Sequence, residues 1–498
     1  MSSNTHKLCV SLLPETAEQI DEWLPNCADS DLIEIRLDYL PEIDVAKLVK
    51  KAEKPLIITL RTRTEGGFWN GKAADYRAII QNAANAGAAY LDVEWQLADS
   101  VLPLLKAGNS KVVLSHHTES NNPEELKEIF RSMTQHPADV YKLIFKAEDM
   151  EDNHTALMLT ELATSLDKKF VIHAMGNAGR PSRLVGAVKG NEWTYLAKDY
   201  DEETASGQPA LHEAHNYYHL QHKSTATKLM GLIGNPIQQS RGWRLHNQMI
   251  FNKFTQNKNA AEPNDFLYLN FPTEDVESFW QQWQSHLHGL SVTIPYKEQI
   301  VKFLNEVSVE VRISGVCNTI VRGPKGWCGY NTDLLAIESL LKPYTEALKN
   351  GGLVIGTGAT ARSTIAAMKR LDVNPIFVIG RNKERGEMLM QKYGIDYLEP
   401  DEIHYASAAV IVQTTPVGMA PYTDQYPSGT SLFRKKRVVM DVVYNPPETC
   451  FLKIARERGC ITISGVEMFL LQATKQFELF TGTPVTVEEL RAIWENIH

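Results

Sequence analysis

The chain lacks the features that mark secreted, membrane-spanning or nucleic-acid-binding proteins. Its six cysteines, at positions 9, 27, 317, 328, 450 and 460, show no Cys-x-x-Cys pair and no Cys/His ligand spacing, so neither a disulfide framework nor a zinc site is indicated. A net charge of −9 provides no basic surface for nucleic acid or an anionic membrane. No apolar run is long enough to cross a bilayer. We therefore expect no metal, no nucleic-acid partner and no membrane partner.

The remaining bulk properties are those of an ordinary globular protein. At 498 residues the chain exceeds what one core organises, so two or three domains are expected. The start, Met1-Ser-Ser-Asn-Thr-His-Lys-Leu-Cys-Val, leads almost directly into a strand, and we expect no signal or transit peptide. Scattered cysteines fit a reducing compartment, which predicts a cytoplasmic location. No sequence feature indicates an oligomeric state.

The first half repeats a short apolar run followed by a helical or loop segment. Eight such units within about 200 residues are typical of a (β/α)8 TIM barrel. The predicted strands are residues 8–13, 32–37, 56–61, 90–95, 111–117, 140–145, 170–175 and 193–197.

Lys142 is an unexpected residue within the sixth predicted strand. Side chains alternate across a strand, so Val140 and Ile144 share its face. Desolvation there disfavours the ammonium form and frees the amine as a nucleophile. A lysine near a strand end also commonly extends its charge to water, so Lys142 alone decides nothing.

Other polar residues gather where the predicted strands end, which is where a barrel carries its active site. Buried charges there must meet each other or a polar ligand. A desolvated lysine, a histidine on the neighbouring strand and several arginines suggest imine chemistry on a keto acid. These strand-end residues are Glu34, Arg36, Asp38, Arg61, Asp92, Glu94, Ser115 and His117.

Together these motifs resemble type I 3-dehydroquinate dehydratase over about residues 7–222. They are Glu34-Ile-Arg-Leu-Asp38, Arg61-Thr-Arg-Thr-Glu-Gly-Gly67, Ser115-His-His117, Lys142, Met175-Gly-x-x-Gly-x-x-Ser-Arg183 and Thr204-Ala-Ser-Gly-Gln208. The resemblance implies that Lys142 forms an imine with 3-dehydroquinate, His117 moves protons and Glu65 orients His117. It also implies substrate contacts from Arg183, Thr204 and Gln208 on the carboxylate side, and from Glu34, Arg36 and Arg61 on the ring hydroxyls.

The second half begins after a polar stretch near residues 221–228. Leu353-Val-Ile-Gly-Thr-Gly-Ala-Thr-Ala-Arg362 reads as a strand, a glycine turn and a helix start, a pattern that lets backbone N–H groups approach a pyrophosphate. The next strand ends in Gly380-Arg-Asn-Lys-Glu-Arg385. An arginine replaces the acid that binds the ribose hydroxyls of NAD, which favours the 2′-phosphate of NADP.

Residues 229–498 resemble shikimate dehydrogenase. The matching motifs include Leu290-Ser-Val-Thr-Ile-Pro-Tyr-Lys297, Gly329-Tyr-Asn-Thr-Asp333, Asp441-Val-Val-Tyr-Asn-Pro446 and Gly465-Val-Glu-Met468. The resemblance implies a catalytic pair, Lys297 and Asp333. It further implies a substrate pocket formed by Ser240, Thr293, Asn318, Tyr444 and Gln472. The implied NADP site is formed by Gly356, Gly358, Ala359, Arg381, Asn382, Arg385, Thr415 and Gly465.

Three motifs depart from the family pattern. The usual Ser-x-Ser-Pro is Ser240-Arg-Gly-Trp243, the usual Asn-x-Thr-Pro is Gln413-Thr-Thr-Pro416, and the Gly-x-Gly-Gly turn is Gly356-Thr-Gly-Ala359. The first departure affects the loop expected to bind the substrate carboxylate. As a hypothesis, the space at Gly242 admits the additional C1 hydroxyl of quinate.

The two halves fit one pathway, because the expected product of the first, 3-dehydroshikimate, is the substrate of the second. The prediction is a barrel (1–222), an α/β substrate domain (229–333, with helices 466–498 returning to it) and a Rossmann NADP-binding domain (334–465). The small-molecule partners are 3-dehydroquinate, 3-dehydroshikimate and shikimate. Three alternatives are a quinate-preferring dehydrogenase half, an aldolase-like imine-forming lyase in the barrel, and a metabolite sensor without activity.

Overall fold

The computed structural model describes residues 6–105, 108–255, 265–427 and 430–497. The chain divides into two compact units. One takes in the chain up to Gly231 together with Ser240–Leu287, and the other takes in Leu232–Gln239 together with His288 onward. Within the described residues, no helix is long and apolar enough to cross a membrane.

The first unit contains an eight-stranded parallel sheet in the order β7-β6-β5-β4-β3-β2-β1-β8. A parallel bridge between Phe170 and Asn191 brings the outer strand β7 against the chain just before β8, as in a barrel. The strands are β1 (Lys7–Leu12), β2 (Leu32–Arg36), β3 (Leu56–Thr59), β4 (Tyr90–Glu94), β5 (Lys111–Thr118), β6 (Val140–Lys146), β7 (Phe170–Met175) and β8 (Trp193–Leu196).

All eight predicted barrel strands are present, with ends within two residues of those expected. The largest difference is at β3, predicted to reach Arg61 but ending at Thr59. The N–H of Arg61 donates to the side chain of Asp38 at 3.1 Å and not to a neighbouring strand. This turn brings the Arg61 side chain into the barrel.

Helices follow the barrel strands, and local signals set several of their starts. Thr16, Asp44 and Asn122 each cap a helix by accepting a backbone N–H with a side-chain oxygen. The helices are α1 (Ala17–Trp23), α2 (Val45–Lys51), α3 (Ala73–Asn85), α4 (Ala98–Leu105), α5 (Pro123–Met133), α6 (Asp152–Ser165), α7 (Arg180–Lys189) and α8 (Leu211–Asn216).

The barrel interior is layered, with apolar residues below and polar residues above. One buried apolar residue from every strand forms the lower layer: Cys9, Leu32, Ile57, Tyr90, Val113, Val140, Val171 and Trp193. Side chains two residues apart point the same way along a strand, so the next residues on that face form a second layer. These are Ser11, Glu34, Thr59, Asp92, Ser115, Lys142, His173 and Tyr195, all buried.

A second sheet has six strands in the order β10-β9-β11-β13-β14-β12. It is mixed, since β13 runs antiparallel to β11 and β14 whereas β12 and β14 are parallel. Its strands are β9 (Lys228–Gly234), β10 (Phe266–Pro272), β11 (Leu287–Val292), β12 (Glu306–Val307), β13 (Thr319–Gly323) and β14 (Gly326–Tyr330); the associated helices are α9 (Gly242–Ile250), α10 (Val276–Trp283), α11 (Val309–Ser314), α12 (Thr332–Leu341) and α13 (Thr345–Leu348).

A third sheet is fully parallel and has the strand order of a Rossmann fold, β17-β16-β15-β18-β19-β20. Apolar residues on both faces bury it between helices. Its elements are β15 (Gly352–Ile355), α14 (Ala359–Arg370), β16 (Ile376–Ile379), α15 (Lys383–Tyr393), β17 (Asp396–Leu398), β18 (Val410–Gln413), β19 (Val438–Asp441), α16 (Cys450–Glu457) and β20 (Ile461–Ile463), followed by α17 (Gly465–Thr481) and α18 (Val487–Trp494).

Candidate active sites

Lys142 lies in the polar layer of the barrel with its charge buried. Its side chain is 6% exposed, and Nζ lies 3.2 Å from a carboxylate oxygen of both Glu34 and Asp92. The ring centroid of Tyr195 is 4.1 Å from Nζ. Two carboxylates therefore lie within ion-pair distance of the amine. The apolar surroundings expected from Val140 and Ile144 are therefore only part of the environment of this lysine.

The carboxylates beside Lys142 remain ionised despite their burial. Burial raises the pKa of Glu34, but attraction by Lys142 and Arg36 together with the hydrogen bond from Ser11 outweighs it, and the pKa falls below its ordinary value. For Asp92 burial is likewise outweighed, by Arg61 and then Lys142, and the pKa is lowered. Ser11 donates to Glu34 at 2.5 Å and Ser115 donates to Asp92 at 2.6 Å. The site therefore presents fixed negative charge around the amine.

Arg61 pairs with three carboxylates, two on β4 and one in the turn after β3. Its guanidinium donates to Asp92 at 2.7 Å, to Glu65 at 3.0 Å and to Glu94 at 3.2 Å, and also to Ser115 at 2.9 Å. The side chain is 3% exposed. We expected Arg61 to contact ring hydroxyls of a substrate. That contact stays a prediction. In the structure Arg61 neutralises buried carboxylates and fixes their positions.

Glu65 contacts two adjacent histidines. One carboxylate oxygen lies 2.9 Å from Nδ1 of His116, and the other lies 3.3 Å from Nδ1 of His117 and accepts the backbone N–H of His117 at 3.2 Å. Burial lowers the pKa of His117 well below 6.5, and Arg61 lowers it further. His117 is therefore neutral near pH 7 and its imidazole can accept a proton.

Arg183 is a buried cation whose hydrogen bonds go to neutral groups. Its Nη1 lies 3.4 Å from Nε2 of His173, Nη2 donates to the carbonyl of Ser206 at 3.2 Å, and Nε has no hydrogen-bond partner among the described residues. Burial lowers its pKa to about 9. Such a group is poised to bind an anion, and a carboxylate matches its geometry.

These groups surround one cavity of about 440 Å³ at the carboxyl ends of the barrel strands. Its volume suits a small-molecule ligand. All the site residues predicted in the first half line it: Glu34, Arg36, Arg61, Glu65, His117, Lys142, Arg183, Thr204 and Gln208.

In the second unit, Lys297 and Asp333 form a close pair. Nζ of Lys297 donates to Asp333 at 2.6 Å, and both side chains are largely buried. Asp333 belongs to the first turn of α12, but the cap of that helix is Asn331, which accepts the N–H of Leu334 at 3.0 Å. A structural capping role therefore does not account for Asp333.

Three polar side chains form a hydrogen-bonded cluster, and one of them, Thr332, directly precedes Asp333 in the chain. Asn318 donates to the hydroxyl of Thr332 at 2.9 Å, and that hydroxyl lies 3.3 Å from Oε1 of Gln472. Thr293 follows β11, and its N–H donates to Ile233 at 2.9 Å. The structure thus joins Asn318 and Gln472 through the residue preceding Asp333.

Tyr444 lies in a cluster of aromatic side chains. Its ring stacks on Phe469, with centroids 4.7 Å apart, and meets Trp494 edge-on at 6.1 Å. Its contact with a substrate stays a prediction.

The turn between β15 and α14 fits a dinucleotide. Gly356 has φ +121°, and an added Cβ would lie 2.5 Å from Thr414, so a side chain is excluded there. Gly358 precedes Ala359, the first residue of α14, and offers no side chain to cap the helix. The first N–H groups of α14 are therefore free to bind phosphate.

The other predicted cofactor residues follow the carboxyl ends of other strands of the same sheet. Arg381 and Arg385 are exposed at the end of β16 and the start of α15, whereas the Asn382 side chain caps α15 by accepting the N–H of Arg385 at 2.9 Å. Thr415 follows β18 and donates to Gln413 at 2.9 Å. At Gly465 an added Cβ would lie 2.2 Å from the carbonyl of Val443, so the backbone approaches closely there.

Comparisons with known proteins match two family models to successive parts of the chain. The type I 3-dehydroquinase family model matches residues 8–225, and the model of the shikimate dehydrogenase substrate binding domain matches residues 232–320. The chloroplastic bifunctional 3-dehydroquinate dehydratase/shikimate dehydrogenase of Arabidopsis thaliana is 29% identical over 95% of this chain and 82% of its own length.

Of two further relatives, one matches nearly the whole chain and the other matches about half of it. The shikimate biosynthesis protein AroDE of Chlamydia pneumoniae is 27% identical over 97% of this chain and 96% of its own length. The NADP(+) shikimate dehydrogenase of Maridesulfovibrio salexigens is 31% identical over 53% of this chain and 96% of its own length. The chain belongs to the bifunctional 3-dehydroquinate dehydratase/shikimate dehydrogenase family.

This membership confirms the predicted lyase joined to an NADP-dependent oxidoreductase. It favours a dehydratase barrel over an aldolase-like one and an enzyme over a metabolite sensor. Within the residues that the structure describes, no group of three or more His, Cys, Asp or Glu side chains could hold a metal ion.

Sequence reasoning missed several residues of the dehydratase cavity, among them four buried residues of the barrel strands. They are Ser11, His116, His173 and Tyr195. Three of them lie two positions beyond an apolar residue of the lower barrel layer, and strand alternation would have found them. His116 lies on the opposite face of β5 from His117, so alternation excludes it. Only the position of Glu65 reveals its involvement.

Proposed function

We propose that the dehydratase half converts 3-dehydroquinate to 3-dehydroshikimate through an imine on Lys142. The observation that carries this proposal is the buried amine of Lys142 facing a cavity that also holds a neutral histidine and an unneutralised arginine. The amine must lose a proton before it attacks, and Glu34 and Asp92 at 3.2 Å are nearby acceptors. Arg183 binds the substrate carboxylate.

The dehydration proceeds in three balanced steps. The amine adds to the C3 ketone and one water leaves, which forms an iminium. His117 removes a proton from C2, and the resulting enamine expels the C1 hydroxyl, which takes a proton from the imidazolium and leaves as water. Hydrolysis of the iminium by one water then releases 3-dehydroshikimate and the free amine. Glu65 holds His117 and stabilises its charge during the transfer.

We further propose that the dehydrogenase half reduces 3-dehydroshikimate to shikimate. Bound NADPH supplies the hydride. Lys297 donates a proton to the C3 oxygen, Asp333 at 2.6 Å holds that lysine in place, and a proton from solvent restores the ammonium group. Ser240, Thr293, Asn318, Tyr444 and Gln472 contact the substrate, while the turn at Gly356 and the arginines at 381 and 385 bind the cofactor.

The organisation of the chain forms part of the proposal. Residues 1–222 carry the dehydratase, residues 229–333 with helices 466–498 bind the dehydrogenase substrate, and residues 334–465 bind NADP. Of these ranges, residues 1–5, 106–107, 256–264, 428–429 and 498 lie outside the described structure. The cellular location we propose is the cytoplasm.

Trapping the imine tests the dehydratase proposal. Borohydride added during turnover of 3-dehydroquinate should reduce the iminium to a stable secondary amine. Mass spectrometry of the digested protein should then find the adduct on the peptide that contains Lys142. An unmodified Lys142 peptide in an active, borohydride-treated sample would contradict the proposal. The Lys146→Ala variant, which alters an exposed lysine on the same strand, is the matched control and should trap normally.

A quinate-oxidising activity is a second candidate for the dehydrogenase half. An added Cβ at Gly242 would meet only the Ser240 hydroxyl, at 3.6 Å, so the residue leaves open space beside a proposed substrate contact. Quinate differs from shikimate by an additional C1 hydroxyl that needs such space. The Gly242→Ser variant should therefore lower kcat/KM for quinate more than for shikimate. Unchanged selectivity would eliminate this candidate.

A further inference from the structure

The segment that follows the barrel is buried against the chain around α9 and β10. Tyr218 is 4% exposed and Leu220 is fully buried. Lys223 is 1% exposed, and its Nζ donates to Asp265 at 2.6 Å and to the carbonyl of Phe266 at 2.9 Å. The connection between the two halves is therefore a packed element of the first unit.

Aromatic contacts form the centre of this packing. The rings of Tyr218 and Trp243 are stacked, with centroids 4.4 Å apart and an interplanar angle of 14°. Tyr217 meets Trp243 edge-on at 6.0 Å. The guanidinium of Arg244 lies 4.6 Å from the Tyr217 ring and 5.2 Å from the Trp243 ring. Trp243 is buried by these contacts, with 8% of its surface exposed.

Trp243 is the second residue of α9 and directly follows the loop that carries Ser240. Gly242 starts the helix, and its N–H donates to the Ser240 hydroxyl at 3.4 Å. Glycine at position 242 gives the backbone more conformational freedom. Position 243 carries tryptophan where the family pattern has proline, so no proline ring fixes the φ angle there. The stacked indole ring therefore holds the start of α9, which directly follows the loop.

We propose that Tyr218 and Trp243 are positioning residues for Ser240 in the dehydrogenase reaction. The segment that ends the dehydratase half thus sets the affinity of the dehydrogenase half for its substrate. This inference rests on the proposed function, because Ser240 is taken there as a substrate contact. Tyr218 acts through Trp243, which holds the start of α9 and with it the Ser240 loop.

Steady-state kinetics of the full chain test this role, since one preparation reports both activities. The Tyr218→Ala variant should raise the KM for 3-dehydroshikimate about three- to tenfold, the value of an aromatic stack. Its kcat should change by less than about twofold, because the loop binds substrate and transition state alike. The dehydratase rate should stay within about twofold of wild type. Tyr218→Phe keeps the ring but loses the hydroxyl that bonds Arg180, and it should retain the wild-type KM.

A second stack provides the matched control. His219 lies flat on Phe251 with centroids 3.9 Å apart, at the opposite end of α9 from the loop. The Phe251→Leu variant loosens the same interface there and should leave the KM unchanged.

Four results would overturn the inference. They are an unchanged KM in Tyr218→Ala, an equal rise in Phe251→Leu, an equal rise in Tyr218→Phe, and a wild-type chain that does not reduce 3-dehydroshikimate. The fourth would also overturn the proposed function, whereas the first three concern the positioning residues alone. If Tyr218→Ala lowers both activities through misfolding, Tyr218→Leu keeps most of the volume and must show the same rise in KM.

Discussion

Replacing Arg183 by methionine should make the barrel more stable and less able to bind its substrate. The guanidinium is 1% exposed and its hydrogen bonds go to His173 and a backbone carbonyl, neither of them anionic. The folded barrel therefore holds a buried charge that has no hydrogen-bonded carboxylate among the described residues. A binding group of this kind opposes folding until the ligand arrives.

The magnitude follows from the environment of Arg183. Burial lowers its pKa from 12.5 to about 9, which corresponds to about 5 kcal/mol of unfavourable free energy in the folded state. At pH 7 the group is charged in both the folded and the unfolded chain, so the folded state carries that free energy. Replacing buried ionic groups by apolar ones gains about 1–4 kcal/mol, and we expect a gain in this range. Losing a charge-assisted hydrogen bond of about 1.5–3 kcal/mol should weaken carboxylate binding about 10- to 150-fold.

Scanning calorimetry of the full chain, with and without quinate, measures both effects. Quinate carries the carboxylate but has no ketone for an imine, and the transition that the substitution at Arg183 shifts identifies the barrel. The Arg183→Met variant should unfold at a higher temperature than wild type without quinate and should gain less from quinate.

Arg180 on the same helix is the matched control, because it is ion-paired with Glu213. Arg180→Met should lower the unfolding temperature. A less stable Arg183→Met variant, or one that binds quinate as wild type does, would refute the reasoning.

Three further predictions concern other parts of the chain. Glu65→Gln removes the charge 3.3 Å from His117 and should lower dehydratase kcat about 100-fold, with dehydrogenase rates unchanged, as steady-state assays of both reactions would show. Arg381→Gln should lower the preference for NADPH over NADH about tenfold or more, read from the ratio of kcat/KM values. Burial raises the pKa of Asp441 from 3.8 to about 6, so the stability it contributes is full below pH 4 and is lost as pH rises to 6, by about 3 kcal/mol. Hydrogen exchange of β19, corrected for intrinsic rates, should show this loss in wild type and not in Asp441→Asn.

The barrel was predictable because its signals are local. Each strand is a short apolar run. Residues two apart share a face of the strand, so Val140 in the apolar layer is followed by Lys142 in the polar layer. The same rule explains why the predicted residues on the strands, Glu34, Arg36, His117 and Lys142, reach one cavity. Family motifs, and not periodicity, supplied the chemical roles.

The electrostatic partners were not predictable, because they come from distant parts of the chain. Glu34 and Asp92 lie 108 and 50 residues before Lys142, and only the closed barrel brings them to its amine. For the same reason Arg61 could not be recognised as the cation that joins Asp92, Glu65 and Glu94. Long-range charge pairing depends on sheet closure, which no local pattern encodes.

The departure at Trp243 likewise made sense only in three dimensions. In the sequence it interrupts a substrate-binding motif, and its partner Tyr218 belongs to what reads as a linker. In the structure the two rings stack, and the substitution of a bulky ring for proline acquires a packing reason.

The measurement that tests the central claim most directly is NADPH consumption by the purified full chain supplied with 3-dehydroquinate alone. Two reactions in sequence predict consumption, its loss in Lys142→Ala, and its recovery in that variant when 3-dehydroshikimate is supplied. Lys297→Met should lose consumption with either substrate but still form 3-dehydroshikimate. Consumption with 3-dehydroshikimate but never with 3-dehydroquinate would contradict the dehydratase assignment, and no consumption with either would contradict the account of the second half.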